Sequence, residues 1–313
     1  MDFIKRLEDH RSTEKKLAWQ GTFLEYLDIV KKIPEVAQLS HARIYEMIRS
    51  AGIEEINGVK SYKFFSSEIF GLDKTLEKLV EEYFHPAARR LDVRKRILLL
   101  MGPVSGGKST LVSMLKQGLE KFSRSYSGGI YAIKGCPMHE EPLHLIPKAL
   151  REEFQNEYKV YVEGELCPSC RMMLEEEYGG QIEKVAVERI FLSEEKRLGI
   201  GTFTPSDPKS QDIADLTGSV DFSTITEFGS ESDPRAYRFD GELNIANRGL
   251  MEFQHIPRTV QQILNRLLEA VPDHYAGFKN LLSVLYSRNL NPFNQAPDKF
   301  RPFPASHTVH PAA

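Results

Sequence analysis

This sequence of 313 residues has few cysteines and little tryptophan, and its net charge is small. Its three cysteines are an odd number and too few for a disulfide framework, and it has one tryptophan. The formal net charge of −3 provides no bulk attraction for nucleic acid. No apolar run approaches the length of a membrane-spanning helix, and the charged start MDFIKRLEDHRSTEKK is unlike a signal peptide. These absences favour a cytoplasmic protein without a membrane or direct nucleic-acid partner.

The remaining composition is that of an ordinary soluble protein, with 41% hydrophobic and 27% charged residues. The length is sufficient for two domains, or for one large domain with appendages. Apolar residues recur at helical spacing over residues 1–51, and again over residues 64–90 after a turn at Gly71. The pattern therefore predicts a helical N-terminal region at 1–60, followed by a mixed core.

The most specific motif lies in residues 96–115, RILLLMGPVSGGKSTLVSML. The aliphatic run at 97–100 is typical of a buried parallel strand, and apolar residues return at helical spacing after residue 110. Between them, GPVSGGKS fits the pattern G-x-x-x-x-G-K-[ST]. This order of strand, glycine loop and helix predicts a nucleoside triphosphate site in an α/β P-loop fold, with a parallel sheet flanked by helices.

Each part of this phosphate loop, residues 102–110, has a chemical reason. Because glycines lack a side chain, Gly102, Gly106 and Gly107 let the backbone wrap a phosphate with its N–H groups pointing inward. The helix N-terminus adds partial positive charge, Lys108 reaches the β- and γ-phosphates, and the Ser109 hydroxyl can join the shell of a Mg²⁺ ion. The other predicted contacts with ATP are Pro103, Ser105 and Thr110.

All three cysteines fall into two short motifs, Cys136-Pro-Met-His139 and Cys167-Pro-Ser-Cys170. Two-residue spacing lets both ligands of such a motif converge on one tetrahedral ion. Three thiolates and one imidazole suit Zn²⁺, and a closed four-ligand site is structural. We therefore predict a structural zinc site within a Cys/His insertion at residues 130–180. His144 is a substitute ligand for His139; the alternatives are a redox pair of Cys167 with Cys170, and scattered buried thiols.

Three further segments are predicted from their local patterns. A helix is expected at residues 144–158, and strands are expected at 159–163 and 185–192. Residues 199–237 are rich in Gly, Ser, Thr, Asp and Pro. Such a long loop-dominated stretch favours a functional or partner-facing segment.

Several stretches, taken in order, resemble one protein family. They are FFSSEIFGLDKTLEKLVEEYF, GPVSGGKST, CPMHEEPLHLIP, LCPSC, DLTGSVDFSTI and SDPRAYRFDGELNIANRGLMEF. Together they resemble the N-terminal AAA+ part of the bacterial PrkA serine protein kinase family, over residues 1 to about 254. The resemblance implies an AAA+ ATPase core at 61–254 and a cytoplasmic, ATP-dependent serine protein kinase linked to stress and sporulation. It also implies a protein substrate and a homo-oligomer.

The resemblance leaves the catalytic carboxylate to be identified. Such a group is needed to hold Mg²⁺ through its water shell and to orient a nucleophile. AAA+ proteins end the acidic strand with Asp-Glu, whereas GELNIANRG has Ala246 and Asn247 at the aligned positions. The predicted carboxylate is Glu242, and the other nearby candidates are Asp240 and Glu252.

Three functions are compatible with these motifs. The first is transfer of the ATP γ-phosphoryl group to protein serine, with Lys108 as a catalytic group, although the H-R-D and D-F-G signatures of ordinary protein kinases are not evident. The second is an ATPase that remodels or degrades proteins without phosphorylating them. The third is a catalytically incomplete fragment that binds nucleotide. In AAA+ oligomers an arginine from a neighbouring subunit completes the site, and the candidates are Arg235 and Arg248.

The tail at residues 255–313 has a different character. We expect an amphipathic helix at 260–271, a second short helix across 278–285 and a proline-rich, disordered end. No family motif follows Phe253-Gln254, and the expected sensor strand is not recognised. The change of character therefore predicts a truncation at this point, followed by an unrelated or out-of-frame tail.

Overall fold

The computed structural model describes residues 3–91, 97–100, 105–204, 214–228, 233–254 and 282–286. Its α-helical segments are α1 (Phe3–Leu17), α2 (Phe23–Lys32), α3 (Ser40–Ser50), α4 (Asp73–Lys78), α5 (His85–Ala88), α6 (Lys108–Ser123), α7 (Arg151–Tyr158), α8 (Pro168–Glu176), α9 (Ala214–Thr217), α10 (Phe222–Phe228) and α11 (Glu242–Ile245). Its strands are β1 (Gln20–Thr22), β2 (Ile53–Ile56), β3 (Val59–Tyr62), β4 (Ile97–Leu100), β5 (Ile130–Ile133), β6 (Ala186–Ile190), β7 (Ile200–Phe203), β8 (Ser219–Val220), β9 (Tyr237–Arg238), β10 (Leu250–Gln254) and β11 (Leu282–Tyr286).

Within the described ranges, the larger sheet has four parallel strands in the order β4-β11-β10-β7. The predicted strand at 97–100 is β4, and the predicted helix after the phosphate loop is α6. In the register of the sheet, Leu100 pairs with Tyr286, which pairs with Gln254. The strands run in one direction, so their carboxyl ends meet at one edge, which is where α/β proteins bind ligands.

Helices cover both faces of this sheet. Side chains alternate between the two faces along each strand, and apolar residues are present on both. Leu98 and Leu250 point into one core with Leu115 of α6. Met251 and Phe253 point to the opposite side, into a second core with residues of α9 and α11. A parallel sheet flanked by helices is the α/β arrangement predicted from the sequence.

A smaller antiparallel sheet, in the order β1-β6-β5, joins the N-terminal region to the Cys/His insertion. Its strand β6 confirms the strand predicted at 185–192. A capping box begins α2, where Glu25 and Thr22 satisfy each other's backbone donors. The buried side of α2 packs with the three cysteines and the inner face of β5 in one apolar core. Helix α2 and the insertion therefore share one core, whereas α3 packs into the core of the parallel sheet.

Two predictions for the Cys/His insertion are wrong. Residues 159–163 form no strand, because Lys159 ends α7 in a left-handed conformation with φ of 59°. The helix predicted from residue 144 begins only at Arg151, after short 3₁₀ turns at Pro142–Leu145 and Lys148–Leu150. Pro147 explains the delay, since it has no amide donor and disfavours a helical conformation at the residue before it.

The short helix predicted across 278–285 is also wrong, because Leu282–Tyr286 is a strand at the centre of the parallel sheet. A short apolar run cannot be assigned to helix or strand by periodicity alone. The expectation that an unrelated tail follows Phe253-Gln254 fails for this segment, since β11 lies between β4 and β10 in the parallel sheet. The helix predicted at 260–271 and the proline-rich end lie outside the described residues. Within the described ranges, no helix combines the length and apolar character needed to cross a membrane.

Arg43 is the largest fully buried side chain among the residues that the structure describes. Its guanidinium donates to the backbone carbonyl oxygens of Gly128 at 2.9 Å, Gly129 at 3.2 Å, Val36 at 3.1 Å and Gln38 at 3.1 Å. These acceptors lie before α3 and before β5, so one side chain fastens the N-terminal region to the loop that enters the smaller sheet.

Replacing Arg43 by Lys should destabilise the fold, because an ammonium cannot reach carbonyl groups that a planar fork reaches together. We expect a loss of about 2–4 kcal/mol in the free energy of unfolding, measured by urea denaturation. Arg49→Lys on the exposed side of α3 is the matched control and should change stability by no more than about 0.5 kcal/mol. Equal effects of the two variants would contradict this role of Arg43.

Candidate functional site

The phosphate loop connects the carboxyl end of β4 to the N-terminus of α6. Gly102 and Pro103 lie outside the described residues. The part that the structure describes consists of Ser105, Gly106, Gly107, Lys108, Ser109 and Thr110. Two of these residues adopt the left-handed conformation, Ser105 with φ of 64° and Gly107 with φ of 76°. The loop therefore turns sharply before Lys108, Ser109 and Thr110 open the first turn of α6.

The N-terminus of α6 can accept an anion. The first N–H groups of a helix have no intrahelical acceptor and carry partial positive charge. Within the described chain no side chain caps this end, and a Cβ added to Gly107 would meet only open space. Lys108 is half-buried and Ser109 is exposed beside this space. Backbone donors, a cation and a hydroxyl thus come together at this helix end, which is the combination that binds phosphate groups at helix N-termini.

Glu252 lies on β10, the second neighbour of β4 in the sheet, and is 4% exposed. Its carboxylate forms an ion pair with Lys116 of α6, and its Oε1 accepts a hydrogen bond from Gln254 Nε2 at 3.0 Å. Lys116 Nζ also contacts Glu194 Oε1 at 2.6 Å and donates to Thr202 Oγ1 at 2.6 Å. Lys116 lies about 12 Å along the helix from Lys108. The Glu252 carboxylate is therefore held by Lys116, at a point along α6 that is distant from the phosphate loop.

The other carboxylate candidates lie away from β10. Glu242 begins α11, where it accepts a hydrogen bond from the backbone amide of Thr202 at 3.0 Å and pairs with Arg197 at 2.9 Å. Thr202 is on β7, an edge of the described sheet that is three strands, or about 14 Å, from β4. Asp240 precedes α11, and its backbone carbonyl accepts from Arg197. The structure thus does not bring Glu242 and the phosphate loop together.

The sequence alignment that placed Ala246 and Asn247 at the end of the acidic strand is wrong. Both residues lie before β10, which begins at Leu250 and ends at Gln254. Residues 246–248 form a turn whose last residue has a left-handed φ of 72°. The residue of this segment that lies beside the start of the phosphate loop is therefore at the end of β10, and it is not Asn247.

The two arginines predicted to complete a neighbour's site differ in exposure. Arg248 is 5% exposed, forms an ion pair with Glu141 and donates to the carbonyl oxygen of Tyr131 at 2.8 Å. A side chain held inside its own subunit cannot reach another, so this prediction is wrong for Arg248. Arg235 has a side chain that is 42% exposed and paired with Asp233 at 2.7 Å, and its role stays a prediction.

The three cysteines converge in the core of the insertion, with their sulfur atoms all within 4.8 Å of one another. Cys136 Sγ and Cys167 Sγ are 3.7 Å apart. Bonds of about 2.3 Å from zinc to two sulfurs at the tetrahedral angle require a separation of about 3.8 Å. The backbone amide of Glu140 donates to the Cys136 sulfur and that of Cys170 donates to the Cys167 sulfur, each at 3.4 Å. The donor set therefore fits a thiophilic metal.

The electrostatics of the cluster favour a thiolate. Hydrogen bonds from the thiols of Cys167 and Cys170 lower the pKa of Cys136 to about 4. The same contacts with Cys136 raise the pKa values of the Cys167 and Cys170 thiols. One anionic sulfur is thus held by two neutral ones, and a bound cation would draw the other protons off.

Neither histidine completes this set. The ring nitrogens of His139 do not lie within 4.8 Å of all three sulfur atoms. His144 Nδ1 is 2.6 Å from Glu140 Oε1, and its Nε2 donates to the carbonyl oxygen of Glu163 at 2.8 Å. Burial alone would lower the pKa of His144, but the Glu140 carboxylate outweighs it and the pKa is raised. Both ring nitrogens of His144 are thereby committed, which excludes the predicted substitute ligand.

Comparison with known proteins agrees with these features. The family model described as the PrkA AAA domain matches residues 21–290. The chain is 66% identical over 268 residues to a Bacillus subtilis (strain 168) protein named ATP-dependent protease PrkA. This match covers 86% of this chain and 42% of the relative. It is 30% identical over 229 residues to serine/threonine kinase YeaG of Escherichia coli (strain K12), covering 70% of this chain and 34% of the relative.

A shorter relative, an uncharacterized protein of Geobacillus stearothermophilus encoded in the gldA 5' region, is 66% identical over 97 residues. That match covers all of the relative and 31% of this chain. The search found no matching solved structure. The chain spans less than half the length of the Bacillus and Escherichia relatives. The match over residues 21–290 nevertheless includes the phosphate loop, the insertion and the parallel sheet, and the chain belongs to the PrkA AAA domain family.

Proposed function

We propose that this chain binds ATP at its phosphate loop and couples the nucleotide to the processing of a protein substrate. The observation that carries the proposal is the position of residues 105–110, at the N-terminus of α6 and at the carboxyl edge of a parallel sheet. Lys108 would contact the β- and γ-phosphates, and the Ser109 hydroxyl would face the accompanying Mg²⁺ ion. Membership of the PrkA AAA family supports the same use of ATP.

The proposed action on the protein substrate is taken from the names of the relatives. The relative at 66% identity is named an ATP-dependent protease, which favours ATP-fuelled unfolding or delivery of proteins for degradation. Phosphoryl transfer to protein serine or threonine is the second candidate, favoured by the kinase name of the 30% identical relative. A cytoplasmic location and assembly into a homo-oligomer complete the proposal and come from the family resemblance.

ATP labelled at the γ-phosphorus distinguishes the two candidates. Protein processing without phosphorylation predicts labelled inorganic phosphate and unlabelled protein. Phosphoryl transfer predicts label on serine or threonine of a protein substrate. The assay should use this chain beside the full-length Bacillus relative, because the chain covers 42% of that protein.

We propose further that the three cysteines hold a structural Zn²⁺ ion, with the fourth position taken by a protein group other than His144. The sulfur spacing and the N–H···S contacts support a metal over a redox pair, since the third thiol has no place in a two-cysteine exchange. Such an ion would join the turn at Cys136 to the N-terminus of α8, where Cys167 and Cys170 lie.

Lys108→Ala should weaken ATP binding by roughly 10- to 100-fold, because charge-assisted hydrogen bonds to phosphate contribute about 1.5–3 kcal/mol. Isothermal titration calorimetry or a fluorescent ATP analogue would measure the dissociation constant. Lys121→Ala in the last turn of the same helix removes an exposed lysine of equal charge and should leave the constant unchanged. Unaltered affinity in the Lys108 variant would refute the assignment of the loop.

Cys170→Ser should remove most of the zinc that copurifies with the protein, measured by plasma mass spectrometry, and should lower the thermal melting temperature. His139→Ala should retain the ion, because its ring lies outside the sulfur cluster. Retention of zinc in the cysteine variant, or its loss in the histidine variant, would contradict a three-sulfur site. A chelator should destabilise the unaltered chain and leave the Cys170 variant at its own melting temperature.

A further inference from the structure

We infer that ATP binding at the phosphate loop is coupled to closure of the Cys/His insertion, and that the turn at residues 246–249 carries the coupling. The inference rests on the proposed nucleotide site and concerns how its occupancy affects a distant part of the molecule. The turn precedes the amino end of β10, whereas the phosphate loop follows the carboxyl end of β4. The turn and the loop therefore lie at opposite edges of the parallel sheet, separated by the length of β10, about 13 Å.

Two side chains of the turn end inside the insertion. Asn247 Nδ2 donates to the carbonyl oxygen of Met138, in the first cysteine motif, at 2.7 Å. Arg248 forms an ion pair with Glu141 and donates to the carbonyl oxygen of Tyr131 at 2.8 Å. Asn247, Arg248 and Glu141 are 4%, 5% and 7% exposed, so these contacts are desolvated and the loss of one partner is costly.

The backbone of the turn depends on these contacts. Arg248 has a φ of 72°, a conformation that a residue other than glycine keeps only where its surroundings hold it. The insertion supplies that hold through the Glu141 carboxylate and the two backbone carbonyl groups. When the insertion opens, all three partners leave together, and the turn can relax toward an ordinary backbone conformation.

The turn also fixes where β10 begins. Leu250, the first residue of β10, donates its backbone N–H to the carbonyl oxygen of Gly199 at 2.9 Å. Two residues further along β10, Glu252 pairs with the buried Lys116 of α6. Because Lys108 begins the same helix, a displacement of β10 would change the position of the group proposed to contact the phosphates. A nucleotide that needs α6 in place therefore opposes opening of the insertion.

Linkage sets the limits of the effect. If the open form bound no ATP, ATP at 100 times its dissociation constant would lower the open population about 100-fold. If opening left the nucleotide site unchanged, ATP would not alter that population at all. We expect a decrease of about 5- to 50-fold, which lies within the usual range of coupling between two sites.

The three cysteines of the insertion provide the measurement, because all are buried and a thiol reagent reaches them only when the insertion opens. In the unaltered chain, Mg²⁺ and ATP at 100 times the dissociation constant should slow labelling about 5- to 50-fold. Samples with and without ATP come from one preparation, so that their metal content is the same. In Lys108→Ala the same ATP concentration should have little effect.

The combination of Glu141→Gln with Arg248→Met tests the route of the coupling. It removes both charges, so neither is left buried without its partner. This variant should still bind ATP, but ATP should change its labelling rate by no more than about 2-fold. Asn247→Ala is a milder second variant that removes one hydrogen bond and should reduce the effect of ATP at least about 2-fold. Asn156→Ala makes the same replacement on the exposed side of α7 and should keep the full effect.

Two results would overturn the inference while leaving the proposed nucleotide site intact. One is equal labelling with and without ATP in a chain that calorimetry shows to bind ATP. The other is a full effect of ATP in the folded variants of the turn, Asn247→Ala included, because the coupling would then follow another route. Failure of the unaltered chain to bind ATP would refute the proposed function, and this inference with it.

Discussion

The parallel register of β4, β11, β10 and β7 is the constraint on which the rest of the core depends. It brings every carboxyl end to one edge and directs the loop after β4 straight into α6, so that the phosphate loop and the ends of the other strands share that edge. The buried ion pair between Lys116 and Glu252 then fixes how α6 lies on the sheet. Because this pair is desolvated, removing either partner is far costlier than its net contribution to stability.

The insertion is organised by two adjacent buried carboxylates, Glu140 and Glu141. Glu140 pairs with His144 and accepts a hydrogen bond from the backbone amide of Cys167 at 3.1 Å. Glu141 pairs with Arg248 and accepts from the hydroxyl of Tyr26 at 2.7 Å. The cysteine cluster is thus joined by hydrogen bonds and ion pairs to α2 and to the turn before β10. A metal ion in the insertion would therefore stabilise an element that is linked both to α2 and to the turn before β10.

Local signals were enough to predict the strand and the helix that flank the phosphate loop, and the grouping of the cysteines. The loop is contiguous in sequence, and close spacing within each cysteine motif limits where the sulfurs can point. The role of Glu252 could not be predicted, because its partner Lys116 is distant in sequence and meets it only through the register of β10. One signal was present, since Lys116 falls within the apolar stripe of α6. Arg248 was misjudged because an arginine beside a glycine gives no local sign of burial.

Differential stabilisation by nucleotides tests the central claim most directly, since a ligand that binds the folded chain raises its melting temperature, and at a given concentration a tighter ligand raises it more. The proposed site would contact the phosphates of ATP, so ATP should raise the melting temperature while adenosine at the same concentration should not. Lys108→Ala should remove the effect of ATP. Equal stabilisation by adenosine and ATP, or none by either, would contradict a nucleotide site built on the phosphate loop.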